Sequence, residues 1–139
     1  MGERRAALGS VRSVDTNVLA RYVMRDDEAQ ARVADATLSE PCFISDTVFL
    51  ETAWLLSSRY RLTRAVLAAT LADLLQLPAV TVSDPDRIGW AIERFAAGAD
   101  FADMMHIVAS DGADSFVTFE RDMVHLAGSE SPIPVETLG

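Results

Sequence analysis

The stretch Cys42-Phe43-Ile44-Ser45-Asp46-Thr47-Val48-Phe49-Leu50-Glu51-Thr52-Ala53-Trp54-Leu55-Leu56 decides the architecture. Cys42 to Ser45 is a short apolar run of the kind that forms a strand covered on both faces. Ser45 or Asp46 then supplies a helix N-cap. The helix that follows is read to about Tyr60, and Glu51 is the only charge in its mostly apolar run Val48 to Leu56. A strand that feeds straight into a helix is half of a parallel crossover unit. A carboxylate in so apolar a run is expected to be buried. Burying it unpaired costs roughly several kcal/mol. The nearest basic side chain in sequence, Arg59, stands two helical turns on. Glu51 therefore calls for a proton, a cation from elsewhere in the chain, or a metal ion.

The same alternation continues on both sides. Val11-Arg12-Ser13-Val14 reads as a strand, and Val18 to Val23 as a helix. A second helix runs from Asp26 or Asp27 to Leu38 and opens on an acidic turn. Thr63 caps a helix whose Leu67, Leu71, Leu74 and Leu75 share one stripe, and Pro78 closes it. Val80-Thr81-Val82 is a third strand. Asp84-Pro85 is a cap with proline at the first helical position, followed by the stripe Ile88, Ala91, Ile92 and Phe95. Gly98 ends that helix. Asp100 opens the next, with Phe101, Met104, Met105 and Val108 on one face, and Gly112 ends it. Ser115 to Thr118 is a fourth strand, Arg121 to Leu126 a short helix, and Ile133-Pro134-Val135 an edge strand. Short strands alternating with helices predict an α/β fold with a parallel sheet covered on both faces.

With 139 residues, half of them hydrophobic, the chain has the length of one domain with a real core. Residues 1 to 10 read as an N-terminal extension that could be disordered, and residues 11 to 139 as the domain. The opening residues lack the pattern of a signal peptide and no run is long enough to cross a bilayer, so the expected location is cytoplasmic, with no membrane. Cys42 is the sole cysteine, which excludes an internal disulfide and a cysteine-rich zinc site. All twelve basic residues are arginine. The lack of lysine excludes Walker-type phosphate binding, Schiff-base catalysis and the receiver-domain site. A net charge of −9 excludes a grip on nucleic acid by bulk electrostatics.

In a parallel sheet, ligands bind beyond the carboxyl ends of the strands. Asp15 lies just past the first strand and Glu120 just past the fourth. Glu51 sits in the helix after the second strand. Asp100 and Asp103 occupy the first turn of the helix that leads into the fourth. Each acid also has a plain structural reading. Asp15 and Asp100 make good caps, Asp103 a solvated helix start, and Glu120 with Arg121 and Asp122 a polar turn. Together at one end of one sheet they read as a site for a hard cation, since oxygen-only ligands suit Mg²⁺ or Mn²⁺. A pair of such ions activates water and stabilises the leaving oxygen in phosphodiester hydrolysis. His106 and His125 lack metal-type spacing, and Trp54 and Trp90 read as packing residues. Among the arginines, Arg21, Arg25 or Arg121 are candidates to touch phosphates.

Four segments carry a resemblance. Ser13-Val14-Asp15-Thr16-Asn17-Val18-Leu19, Leu50-Glu51-Thr52-Ala53-Trp54-Leu55-Leu56, Gly98-Ala99-Asp100-Phe101-Ala102-Asp103-Met104-Met105 and Phe116-Val117-Thr118-Phe119-Glu120-Arg121-Asp122 resemble, in order, the motifs of PIN-domain ribonucleases. The likeness is nearest to the VapC-type toxins of bacterial toxin–antitoxin (VapBC) pairs. It implies a three-layer α/β/α PIN-like fold with a central, mostly parallel sheet of four to five strands. By it, Asp15, Glu51 and Asp103 match the core metal-binding acids, and Asp100 an additional one. The fourth motif usually carries aspartate where Glu120 stands, one methylene longer. Thr16, Thr118 and Asp122 are second-tier polar contacts. The resemblance further implies Mg²⁺- or Mn²⁺-dependent endoribonuclease activity on structured RNA such as tRNA or rRNA. It also implies a homodimer and a VapB-like antitoxin whose basic tail enters the acidic site. The rival readings are a non-catalytic PIN-like binding module and a phosphoryl-transfer domain. Asn17, standing where a phosphatase of the haloacid-dehalogenase type has its second aspartate, speaks against the latter.

Overall fold

The computed structural model describes residues 10–139, so the expected extension at residues 1 to 10 lies outside the described residues but for its last position. The elements in order are β1 (Arg12–Ser13), α1 (Thr16–Met24), α2 (Glu28–Leu38), β2 (Cys42–Phe43), α3 (Asp46–Ser58), α4 (Arg64–Leu75), β3 (Val80–Thr81), α5 (Pro85–Ala96), α6 (Phe101–Ala109), β4 (Phe116–Thr118), α7 (Met123–Ala127) and β5 (Val135–Thr137).

The first three strands form one parallel sheet in the order β1-β2-β3, with Arg12 opposite Cys42 and Cys42 opposite Val80. The last two form a separate parallel ladder, with Phe116 opposite Val135. Among the described residues no ladder joins β1 to β4. The expected single sheet of four to five strands is therefore corrected to three strands plus two. Ladders of two or three residues contribute few hydrogen bonds, and the packing of helices carries the fold. The edge strand also begins later than expected. Pro134 has no N–H to give a ladder. Its carbonyl instead accepts from the Phe116 N–H at 2.8 Å, and the strand proper starts at Val135.

The capping residues behave as the sequence predicts. Ser45, Thr63 and Asp84 accept from the N–H of Val48, Val66 and Arg87 at 3.2, 3.3 and 3.1 Å. Each satisfies one orphan donor of a first turn. Helix α1 packs on α2 and α3, α3 on α4 and α6, and α5 on both α4 and α6. The core centres on Phe49, Leu56, Leu71, Ile88, Met104 and Ile107. Cys42 lies in the middle strand of the three and is 1 % exposed.

One cation fixes the corner that presents the third motif. Gly98 turns at φ +122°, a conformation that favours glycine. Arg64 Nη1 then donates to the carbonyls of Phe95 and Ala99 at 2.7 and 2.8 Å, while its guanidinium lies over the Phe95 ring at 4.6 Å. Helix α4 is thereby tied to the end of α5 and to the residue before Asp100.

Phe49 is fully enclosed on the inner face of α3. Phe49→Ala should cost about 3–5 kcal/mol in urea unfolding, because the lost ring leaves a cavity. A cost below about 1 kcal/mol would show that α3 does not anchor the core.

Candidate active site

Asp15 is the N-cap of α1, its Oδ1 accepting from the Thr16 N–H at 2.8 Å. Thr16 is buried, and its hydroxyl donates to Glu51 Oε1 at 2.5 Å. The end of β1 and the middle of α3 are thus joined through one side chain. On α6, Asp100 is the N-cap and its Oδ2 accepts from the Asp103 N–H at 3.0 Å. Burial pushes the Asp103 carboxyl above the ordinary aspartate range. The neighbouring charges of Asp100 and Asp122 raise it further, against a lowering by His106. Asp122 is therefore an electrostatic neighbour of Asp103. Glu120 is exposed, and its N–H is held by the Thr118 hydroxyl at 3.0 Å. No hydrogen bond or ion pair among the described residues ties its carboxylate to the other acids.

The acids thus form two groups, Asp15–Thr16–Glu51 and Asp100–Asp103–Asp122. One acid of each group, Glu51 and Asp100, lines a cleft of about 610 Å³, while Asp15, Asp103 and Asp122 are not among its lining residues. Leu50, Leu67, Phe95 and Phe101 line its apolar part.

Two expectations need correction here. Glu51 is exposed, not buried, and Trp54 is 66 % exposed on the cleft wall. Helix α3 buries the stripe Phe49, Thr52, Ala53 and Leu56. That stripe needs only one side of a helix. Of the apolar residues beyond it, Val48 and Leu50 still pack against the core, while Leu50 and Trp54 line the cleft. Glu51 and Trp54, three residues apart, share that outer face. The signal was available: the run holds more apolar residues than one buried stripe can use. Trp90, by contrast, is buried as expected. Arg21 and Arg25, both candidates for phosphate contact, pair with Asp26 at 3.1 Å and Asp35 at 2.9 Å.

The donors fit a hard divalent cation by their chemistry. All are carboxylate or hydroxyl oxygens. None of Asp15, Glu51, Asp100, Asp103, Glu120 and Asp122 has an arginine ion pair among the described residues. Their geometry is looser than a closed cage. Among the described residues no three His, Cys, Asp or Glu side chains stand close enough to hold an ion. Like charges repel, and the carboxylates stand apart.

The fold and these acids define an α/β protein with an open, largely apolar cleft that carries Glu51 of the second motif and Asp100 of the third. The PIN domain family matches residues 13–129. The chain belongs to the PIN-domain family, whose members are typically nucleases. No curated protein and no solved structure matches it. No helix among the described residues is long and apolar enough to cross a membrane.

Asp103 sets a pH dependence. Its raised value means that the folded protein holds the proton more tightly than the unfolded chain does. The stability it contributes is full below the unfolded aspartate value and is lost as pH rises through the raised native value. Asp103→Asn cannot ionise. In chelator at neutral pH it should melt at a higher temperature than the parent, with the gap closing as the pH drops below the unfolded value. A lower melting point at neutral pH would contradict this electrostatic reading.

Proposed function

We propose that the chain is a Mg²⁺- or Mn²⁺-dependent endoribonuclease, the toxin of a type II toxin–antitoxin pair of the VapC kind, acting on structured RNA such as tRNA or rRNA. The observation that carries this reading is that Glu51 and Asp100, one from each of two acidic groups without arginine ion pairs among the described residues, share the wall of one cleft of a PIN domain. Asp15, Glu51 and Asp103 would hold the cation, assisted by Asp100, Glu120 and Asp122. When bound, such an ion supplies positive charge where the phosphodiester's negative charge grows, and it acidifies water. Thr16 orients the Glu51 carboxylate and leaves Oε2 without a hydrogen-bond partner among the described residues. Thr118 holds the turn that presents Glu120. The crowding of Asp100 and Asp122 around Asp103 is the repulsion that a cation relieves.

The partners follow from the same charge. An acidic protein at −9 with uncovered carboxylates suits an antitoxin whose basic tail enters the cleft. A homodimer and a cytoplasmic location complete the proposal. The looser placement of Glu120 favours a second reading, a PIN-like module that binds without cutting.

Cleavage assays on bulk tRNA and rRNA separate the two. Activity should require Mg²⁺ or Mn²⁺ and vanish in chelator. Asp103→Asn should lose at least about 100-fold in rate, as expected when a ligand of the charge-stabilising cation is removed, while keeping its circular dichroism spectrum. Wild-type cleavage by that variant would reject the assignment. Absence of measurable Mn²⁺ binding at millimolar metal would favour the non-catalytic module.

A further inference from the structure

We propose that the cleft beside Glu51 seats an unpaired nucleobase of the RNA, with the Trp54 indole as its stacking platform. The inference rests on the ribonuclease reading above. It adds that the nucleotide next to the cut must be single-stranded and splayed out.

Trp54 stands one helical turn beyond Glu51 on the same face of α3, a rise of about 4.5 Å. Its ring is among the most exposed large apolar side chains of the described residues. An indole in water on a cleft wall is a flat apolar surface without a partner, and unstacked bases recognise such surfaces. Leu50, Phe95 and Phe101 supply further apolar lining, while Thr47, Ser57 and Ser58 add hydroxyls that can meet base edges.

The charge along the cleft has a direction. Glu51 and Asp100 are acidic wall residues. Ser57 and Ser58 lead directly into the α3–α4 turn, which carries Arg59 and Arg61. Both arginines are exposed, and neither has an ion pair among the described residues. Arg64, at the start of α4, lies over Phe95, itself a lining residue. A nucleotide strand matches that order. One phosphate lies toward Glu51 and Asp100, which would hold it through a divalent ion, its base lies on Trp54, and the next phosphate lies toward the arginines. An apolar peptide helix or a second copy of the chain would use the apolar lining and leave this polarity unanswered.

The test needs no cleavage. In the Asp103→Asn background with Mg²⁺, a short oligoadenylate and an abasic strand of equal length are the probes. Of the two tryptophans, Trp90 is only 8 % exposed, so quenching reports chiefly on Trp54. Oligoadenylate should quench the fluorescence. Trp54→Ala should remove the quench and weaken oligoadenylate binding about tenfold. Trp54→Phe should recover most of the affinity, and the abasic strand should bind all three proteins alike. Arg59→Gln should weaken both probes and lower the salt slope by about 0.7, the value for one phosphate contact on a single strand. With Asp103 intact, the loss caused by Trp54→Ala should fall on KM more than on kcat. Trp54 lies outside the core, and alanine favours helix, so the fold should survive.

Unchanged oligoadenylate affinity in Trp54→Ala would overturn the proposal, as would an equal loss on the abasic strand. A dimer that dissociates in Trp54→Ala while RNA affinity holds would overturn it in favour of a self-association surface. Failure of the ribonuclease reading shows elsewhere, as cleavage that survives Asp103→Asn or never occurs in the wild type.

Discussion

The hydroxyl of Thr16 donates to Glu51 from a position that is 5 % exposed, and the placement of the acids depends on that bond. Thr16 is the first residue of α1, so it cannot move without moving the cap at Asp15. Glu51 sits at the middle of α3, whose opposite face is locked by Phe49 and Leu56. A single short bond therefore sets the distance between two crossover units. The N-terminal end of α1 also brings its partial positive charge to a carboxylate that has no arginine ion pair among the described residues.

The α6 half is positioned by a different device. Arg64 draws two carbonyls from the α5–α6 corner onto the start of α4. The Asp100 cap follows at once, and Asp103 lies one turn on. The two halves share no hydrogen bond between their carboxylates among the described residues. They are brought to one cleft by the packing of α3 against both α1 and α6. Rigid helices thus bring Glu51 and Asp100 to one wall, and the folded chain tolerates the repulsion of Asp100 and Asp122 on Asp103.

Local signals made much of this legible. Ser45, Thr63, Asp84 and Asp100 announce helix starts because a side-chain acceptor two or three residues ahead of an orphan N–H is a short-range affair. The stripes at Leu67 to Leu74 and Ile88 to Phe95 are equally local. What failed was non-local. Strands of two or three residues carry too little pattern to say which neighbours they pair with, so the division into three and two strands was not readable. The exposure of Glu51 was misjudged because an apolar run was equated with a buried one, and α3 has apolar surface to spare for the cleft. Arg64 gave no sign of its role, since its acceptors lie 31 and 35 residues away. The effect of the Asp122 charge on Asp103 joins residues 19 positions apart, which no spacing rule gives.

Cys42 has a consequence of its own. It is the chain's single sulfhydryl, it lies in β2 with β1 and β3 on either side, and burial pushes its pKa up. A thiol so enclosed is inert until the sheet parts. Its rate of capture by a disulfide reagent is then a clock for the opening of that sheet. The molecule carries an internal gauge of that opening, obtained without adding any probe.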